Sequence, residues 1–199
     1  MLLYIIRHGE TAWNVMRKIQ GAVDIPLNEK GIRLAKITGE KLKDVPFDRA
    51  ISSPLQRAYK TAELVLGKRE IPIETDRRIQ EISFGDLEGT QVLNVDPLHP
   101  FYNFFADAYH YVPARNGESI HDVCERAGKF YQELIHRADL QDKTVLIATH
   151  GCVLRALLQP VYEDISDFWQ GGVCPNCGVN IIEVKGGKST LLEKDKIYY

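Results

Sequence analysis

Two short apolar runs, Leu2-Leu3-Tyr4-Ile5-Ile6 and Thr144-Val145-Leu146-Ile147-Ala148-Thr149, each lead to a histidine followed by glycine. The first breaks into Arg7-His8-Gly9 and the second into His150-Gly151. The second run is uninterrupted and reads as a strand buried on both faces. Strands of that kind need helices above and below them. The expected fold is therefore α/β, with three layers and a mostly parallel open sheet flanked by helices. Open sheets of this type place their chemistry beyond the carboxyl ends of the strands, where both runs deliver their first polar side chains.

The remaining chain supplies the flanking elements. Asn28 is a candidate N-cap for a helix with Ile32, Ala35, Gly39 and Leu42 at helical spacing, stopped by Pro46. Ala50-Ile51-Ser52 reads as a short strand. Ser53-Pro54 follows as a helix start, with serine capping, proline in the first turn, and Leu55, Ala58, Ala62 and Val65 as the inward stripe. Arg57 lies in that first turn and off the stripe. Ile71 to Thr75 is a short edge strand, and Ile79 to Gly89 alternates acids, glycines and apolar residues like a packed loop. Ser119-Ile120-His121-Asp122 resembles a capping box opening a helix with Val123, Ala127, Phe130, Leu134 and Ile135 on one face. Cys152 to Leu158 continues as a helix to Pro160. Gly178 to Val184 and Ser189 to Leu192, joined at Gly186-Gly187, form a hairpin.

Between Asn94 and Ala114 the composition turns aromatic, with Phe101, Tyr102, Phe104, Phe105, Tyr109 and Tyr111 and no lysine or arginine. Residues 94–118 read as a small helical and loop cap inserted beside a site; an aromatic helix packed on the core is the alternative. With 199 residues the chain suits a single domain, 1–199, with one core. A net charge of −2, without any block of like charges, provides no field for nucleic acid. The opening run is too short for a signal sequence, and no segment approaches the ~20 apolar residues of a membrane span. A cytoplasmic protein without nucleic-acid or membrane partners is the simplest expectation. Cys124, Cys152, Cys174 and Cys177 are too few for a disulfide scaffold.

If the ends of the two histidine strands share one sheet edge, Arg57 starts its helix from the same edge. Arg7, His8, Arg57 and His150 then form an electropositive pocket in a slightly acidic protein, suited to a small, highly charged anion such as phosphate. Phosphoryl transfer needs an in-line nucleophile, cations over the equatorial oxygens and a proton for the leaving oxygen. Histidine, the arginines and Glu81 could supply these without a metal.

Arg7-His8-Gly9-Glu10-Thr11 with Asn14 resembles the signature of the histidine phosphatase superfamily, also called phosphoglycerate mutase-like. Further pieces follow in that family's order: Gln20-Gly21, Pro26-Leu27-Asn28 leading to Gly31, Ser52 to Ala58 with Thr61-Ala62, Glu81-Ile82 with Phe84-Gly85 and Glu88-Gly89, Gly117-Glu118-Ser119, and Thr149-His150-Gly151. The likeness spans about residues 3 to 155. It implies that His8 attacks phosphorus and forms a phosphohistidine. Arg7, Arg57 and His150 would surround the transferring group, with Asn14, the Gln20-Gly21 backbone and Gly151 completing the cradle. Glu81 matches the proton donor, with Glu88 and Glu118 as competitors in similar loops. Asn14 could equally be a helix cap.

The resemblance implies an enzyme with no cofactor and no metal, acting on small-molecule phosphate monoesters. The Phe84-to-Gly89 stretch looks like the phosphatase branch, and the missing cationic groups in the cap argue against a mutase handling two phosphates. Hydrolysis of a monoester with a partly apolar leaving group is the favoured activity. Phosphoglycerate mutase, a sugar-bisphosphate phosphatase and a catalytically idle phospholigand-binding module are the alternatives. Cys174-Pro175-Asn176-Cys177 has the spacing of a metal knuckle, but with no second pair a structural turn is the better reading. His99, His110, His121 and His136 read as surface or packing residues.

Overall fold

Side chains alternate across a strand, so Leu3 and Ile5 leave the first strand on one side and Ile6 on the other. In this computed structural model, which describes residues 1–92, 98–99 and 101–199, that alternation places an apolar layer on each face of one sheet. The elements in chain order are β1 (Leu2–Arg7), α1 (Ala12–Val15), α2 (Glu29–Lys41), β2 (Arg49–Ser52), α3 (Gln56–Leu66), β3 (Ile73–Thr75), α4 (Tyr102–Ala106), α5 (Ile120–His136), β4 (Thr144–Thr149), α6 (Gly151–Leu158), β5 (Val179–Lys185) and β6 (Lys188–Lys196).

The six strands form a mixed sheet in the order β3-β2-β4-β1-β5-β6. β3, β2, β4 and β1 run parallel, and the β5–β6 hairpin adds two antiparallel strands beside β1. Ile6, Ala50, Leu146 and Ala148 join Ala35, Ala58, Ala62 and Val65 of α2 and α3 on one face. Leu3, Ile5, Val145 and Ile147 join Val123, Ala127, Phe130 and Leu134 of α5 and the apolar side of α6 on the other. The single core expected from chain length is thus two apolar layers separated by the sheet, because both sheet faces are covered.

Register positions the chemistry. Arg7 is opposite Thr149 in the β1–β4 ladder, and Ser52 is opposite Ala148 in the β2–β4 ladder. One residue further, His8 N–H donates to Thr149 O at 2.9 Å and Ser53 N–H to Ala148 O at 2.9 Å. His8, Ser53 and His150 therefore emerge side by side at one edge.

Asn28 caps α2 through Gly31 N–H, and the Ser119–Asp122 capping box opens α5. The α3 start differs from expectation. The helix begins at Gln56 with Leu55 as its N-cap and no side-chain cap. Ser53 Oγ instead accepts from Leu55 N–H at 3.2 Å within the lead-in turn, because the serine is held at the strand end by the β4 pairing.

Of the aromatic segment, residues 94–97 and 100 lie outside the described residues. Its described part holds α4 and a 3-10 turn at Ala108–His110, with Phe101, Phe104 and Tyr111 buried against Phe84. Among the described residues no helix is long and apolar enough to cross a membrane.

Candidate active site

His8 is buried at the end of β1, and its Nδ1 lies 2.7 Å from the carbonyl of Gly9. A carbonyl only accepts, so Nδ1 carries the proton and Nε2 keeps its lone pair. Burial first, then the charges of Arg57 and Arg7, push the His8 pKa well below the usual histidine value. The ring is therefore neutral and nucleophilic at neutral pH. Close approach to Gly31 explains Gly9, where a Cβ would meet the Gly31 carbonyl oxygen at 2.7 Å.

His150 stands next to it, with ring centroids 5.2 Å apart. Its Nε2 is 2.7 Å from Ser53 Oγ. With the hydroxyl hydrogen given to Nε2, the His150 proton sits on Nδ1. Nδ1 is buried and has no partner, so it is a donor in waiting. Burial, followed by Arg57, lowers the His150 pKa well below its usual value too.

The two arginines are anchored from one edge. Arg7 donates from Nη1 to Cys174 O at 2.5 Å. Arg57 donates from Nη1 to Val23 O at 2.8 Å and from Nη2 to Gly21 O at 2.7 Å. In both, Nε is buried without a partner. Burial pulls the Arg57 pKa down to about 10, against the opposing charges of Glu81, Asp24 and Glu88. Both guanidinium groups stay charged at neutral pH. Guanidinium and imidazole N–H groups left unsatisfied in a buried site mark a place built for an anion.

Glu81 is 8% exposed, and its carboxyl accepts from Ile82 N–H at 3.2 Å, Cys152 N–H at 3.3 Å and Val153 N–H at 3.3 Å. The last two donors belong to the first turn of α6, where helix N–H groups are free. Glu88 and Glu118, the competitors for the acid role, do not line the cavity that Glu81 lines, and both brace loops. Glu88 accepts from Ala22, Val23 and Phe84 N–H groups, while Glu118 accepts from Ser83 N–H and pairs with Arg126.

A cavity of about 260 Å³ has Arg7, Asn14, Gln20, Glu81 and Gly151 among its lining; His8, Arg57 and His150 do not line it. Phe84, Phe101, Phe104, Phe105, Trp169 and Val173 form its apolar side. The aromatic segment is thus both packed on the core and a wall of the site. Asn14 also closes the α1 capping box, accepting from Thr11 N–H at 3.1 Å, which bears out the helix-cap reading of that residue. Gln20 receives the Thr11 hydroxyl at 2.6 Å. Gly21 does not line the cavity; its carbonyl holds Arg57, and a Cβ there would collide with Ile82 O and Glu88 Oε1.

Cys174 to Cys177 is a structural loop that supports the end of β1. Cys177 N–H reaches Arg7 O at 3.0 Å, and Asn176 Nδ2 reaches His8 O at 3.0 Å. All four cysteines are free; burial pushes the Cys177 thiol up to about 12 and the Cys174 thiol further in the same direction. Thiols held protonated are poor ligands and nucleophiles. Among the described residues no group of three or more His, Cys, Asp or Glu is placed to hold a metal ion. His110, His121 and His136 are exposed and His99 half-buried, and none of the four lines the cavity.

Sequence reading missed Ser53 as the partner of His150, Glu88 as the brace of the Arg57 loop, and Trp169 and Val173 as cavity walls. It also looked for further cations in the aromatic segment, whereas Arg17 and Lys18, just after α1, supply them at the cavity. Their closeness to Asn14 was the available signal.

The model of the histidine phosphatase superfamily (branch 1) matches residues 3–196. A phosphoglycerate mutase from Schizosaccharomyces pombe is 37% identical over 167 residues, covering 79% of this chain and 77% of that protein. Phosphoserine phosphatase 1 from Hydrogenobacter thermophilus is 30% identical over 193 residues, covering 96% and 90%. Among solved structures, Bacillus stearothermophilus YhfR superposes with a TM-score of 0.90 at 38% identity, covering 98% of this chain and 97% of that one. The paired histidine turns, the anchored arginines and this match over nearly the whole length agree: the chain belongs to the histidine phosphatase superfamily, branch 1.

Proposed function

We propose that this protein is a metal-independent phosphomonoesterase that hydrolyses small phosphorylated metabolites through a phosphohistidine at His8. The observation that carries this reading is the ring of buried, unpartnered nitrogens, Arg7 Nε, Arg57 Nε and His150 Nδ1, around a histidine whose own Nδ1 is locked on a carbonyl. His8 Nε2 attacks phosphorus while the bond to the ester oxygen breaks in line. Arg7, Arg57 and His150 donate to the equatorial oxygens as negative charge spreads over them. Asn14, Gln20 and Gly151, which line the cavity together with Arg7 and Glu81, are the groups we assign to the rest of the cradle. Glu81 is the proton carrier: it gives a proton to the departing alkoxide and afterwards takes one from the water that attacks the phosphohistidine. That second attack releases inorganic phosphate and restores the neutral imidazole.

The aromatic wall supports a leaving group with an apolar body. Relatives over much of this length are named as a phosphoserine phosphatase and as phosphoglycerate mutases. A mutase reading is favoured by those names, but a short, wholly polar phosphoglycerate would set a polar ligand against the apolar side of the cavity formed by Phe84, Phe101, Phe104, Phe105 and Trp169. A cytoplasmic location fits small soluble metabolites as substrates.

Rapid mixing with a radiolabelled aryl phosphate, followed by alkaline quench, should trap label on the wild-type protein and none on His8→Ala. Label that survives His8→Ala, or absence of phosphate release from the aryl ester, sinks the assignment. Incubation with phosphoglycerate separates the alternatives by isomerisation against release of phosphate.

A further inference from the structure

Arg17 and Lys18 line the same cavity as Arg7 and Glu81 but come from the turn after α1, outside the cluster around His8. Several surface cations of this chain are paired with a carboxylate, as in Lys30–Glu10, Lys43–Glu40, Lys60–Glu63 and Lys129–Glu125. Among the described residues neither Arg17 nor Lys18 has such an ion pair. Their backbone is nonetheless fixed. Arg17 adopts a left-handed conformation, φ 51°, which an L residue takes up only when its neighbours hold it there. Arg17 N–H donates to Asn14 O at 3.2 Å, Lys18 N–H to Trp13 O at 3.0 Å, and Arg17 O accepts from Val92 N–H at 2.9 Å. The Lys18 ammonium sits 5.4 Å from the centre of the Trp13 ring, a cation–π contact that restrains it.

We propose that Arg17 and Lys18 form a second anion subsite at the mouth of the cavity, which takes a carboxylate or a second phosphate carried at the far end of the leaving group. This rests on the phosphomonoesterase reading for the inner end of the cavity. Phe84, Phe101, Phe104, Phe105 and Trp169 line the same cavity and suit an apolar body in the leaving group. A cavity of about 260 Å³ is at the small end for ligand sites, so that body is one ring or a short chain. The substrate class is a phosphomonoester with an apolar centre and an anion at its distal end. Arg17 offers the fork geometry that suits a carboxylate or phosphate, and Lys18 adds a point charge.

The test compares para-(carboxymethyl)phenyl phosphate with para-(carbamoylmethyl)phenyl phosphate, which share ring size and nearly the same leaving-group acidity and differ in distal charge. The wild type should prefer the carboxylate by about 5- to 20-fold in kcat/KM, expressed mainly in KM and shrinking at high salt. In Arg17→Gln/Lys18→Gln that ratio should fall to about one. A third arm with a terminal phosphonate shows which distal anion gains more. Binding of the matching benzylphosphonates, measured by calorimetry, needs no turnover and should show the same preference and the same loss. Equal affinity for the charged and neutral phosphonates, or a preference that survives the double substitution, overturns the subsite. Absence of turnover with both esters, alongside a binding preference that the double substitution abolishes, refutes the phosphomonoesterase reading and leaves the subsite standing.

Discussion

Arg57→Lys keeps the positive charge of the site and removes its geometry. In the wild type one edge of the guanidinium holds Val23 O and Gly21 O at 2.8 and 2.7 Å, and Nε remains for the phosphoryl group. A lysine ammonium concentrates its three donors on one atom, so it cannot hold both carbonyls and also address the transferring oxygens. If the lost contact is one charge-assisted hydrogen bond to the transition state, its absence costs about 1.5–3 kcal/mol. At about 1.4 kcal/mol per factor of ten, kcat should fall about 10- to 150-fold, and kcat/KM with it. Steady-state hydrolysis of an aryl phosphate measures this, with thermal unfolding as a check that the variant folds. The anchoring carbonyls also lose a donor, so a drop of several degrees in Tm accompanies the loss. A folded Arg57→Lys protein with kcat within about threefold of wild type would refute the view that the fork, rather than the charge, does the work.

Three further outcomes are expected. His8 and His150 are neutral when folded and protonate near pH 6.5 when unfolded, so the unfolded state binds more protons below that pH and stability rises with pH. The unfolding free energy from urea titration should therefore decline from pH 6.5 to 5, by up to about 1.4 kcal/mol per pH unit for each ring, and His150→Asn should flatten the slope by about half; a level wild-type profile contradicts the neutral assignment. Ser53→Ala removes the partner of His150 and leaves Leu55 N–H without its acceptor, so kcat should drop about 3- to 10-fold and Tm by several degrees, whereas unchanged kcat in the folded variant would mean that His150 orients itself. Gly21→Ala forces a methyl against Ile82 O and Glu88 Oε1, which displaces the carbonyl that anchors Arg57; activity should fall at least about tenfold. Wild-type kcat in that variant would show that the loop can give way without moving Arg57.

The sequence by itself determined the local elements and the chemical cast. Apolar run, cap and turn signals act over a few residues, which is why β1, β4, α2, α5 and the final hairpin were legible, and why Arg7, His8, Arg57, Glu81 and His150 stood out. Asn28 and Ser119 cap where they should because a cap needs only its own first turn. Tertiary structure decided how these pieces meet. The insertion of β4 between β2 and β1 sets the register that brings His8, Ser53 and His150 together, and no local signal encodes that order. The same long-range pairing turned Ser53 from a helix cap into the partner of His150, 97 residues away in sequence. Glu88 became a brace because its three backbone donors come from two loops that meet only in the fold. The aromatic wall and the Arg17–Lys18 mouth arose in the same way. Propensity acts along the chain, whereas a site is made by packing across it, so the sequence named the candidate residues and the fold supplied their partners and the pocket beside them.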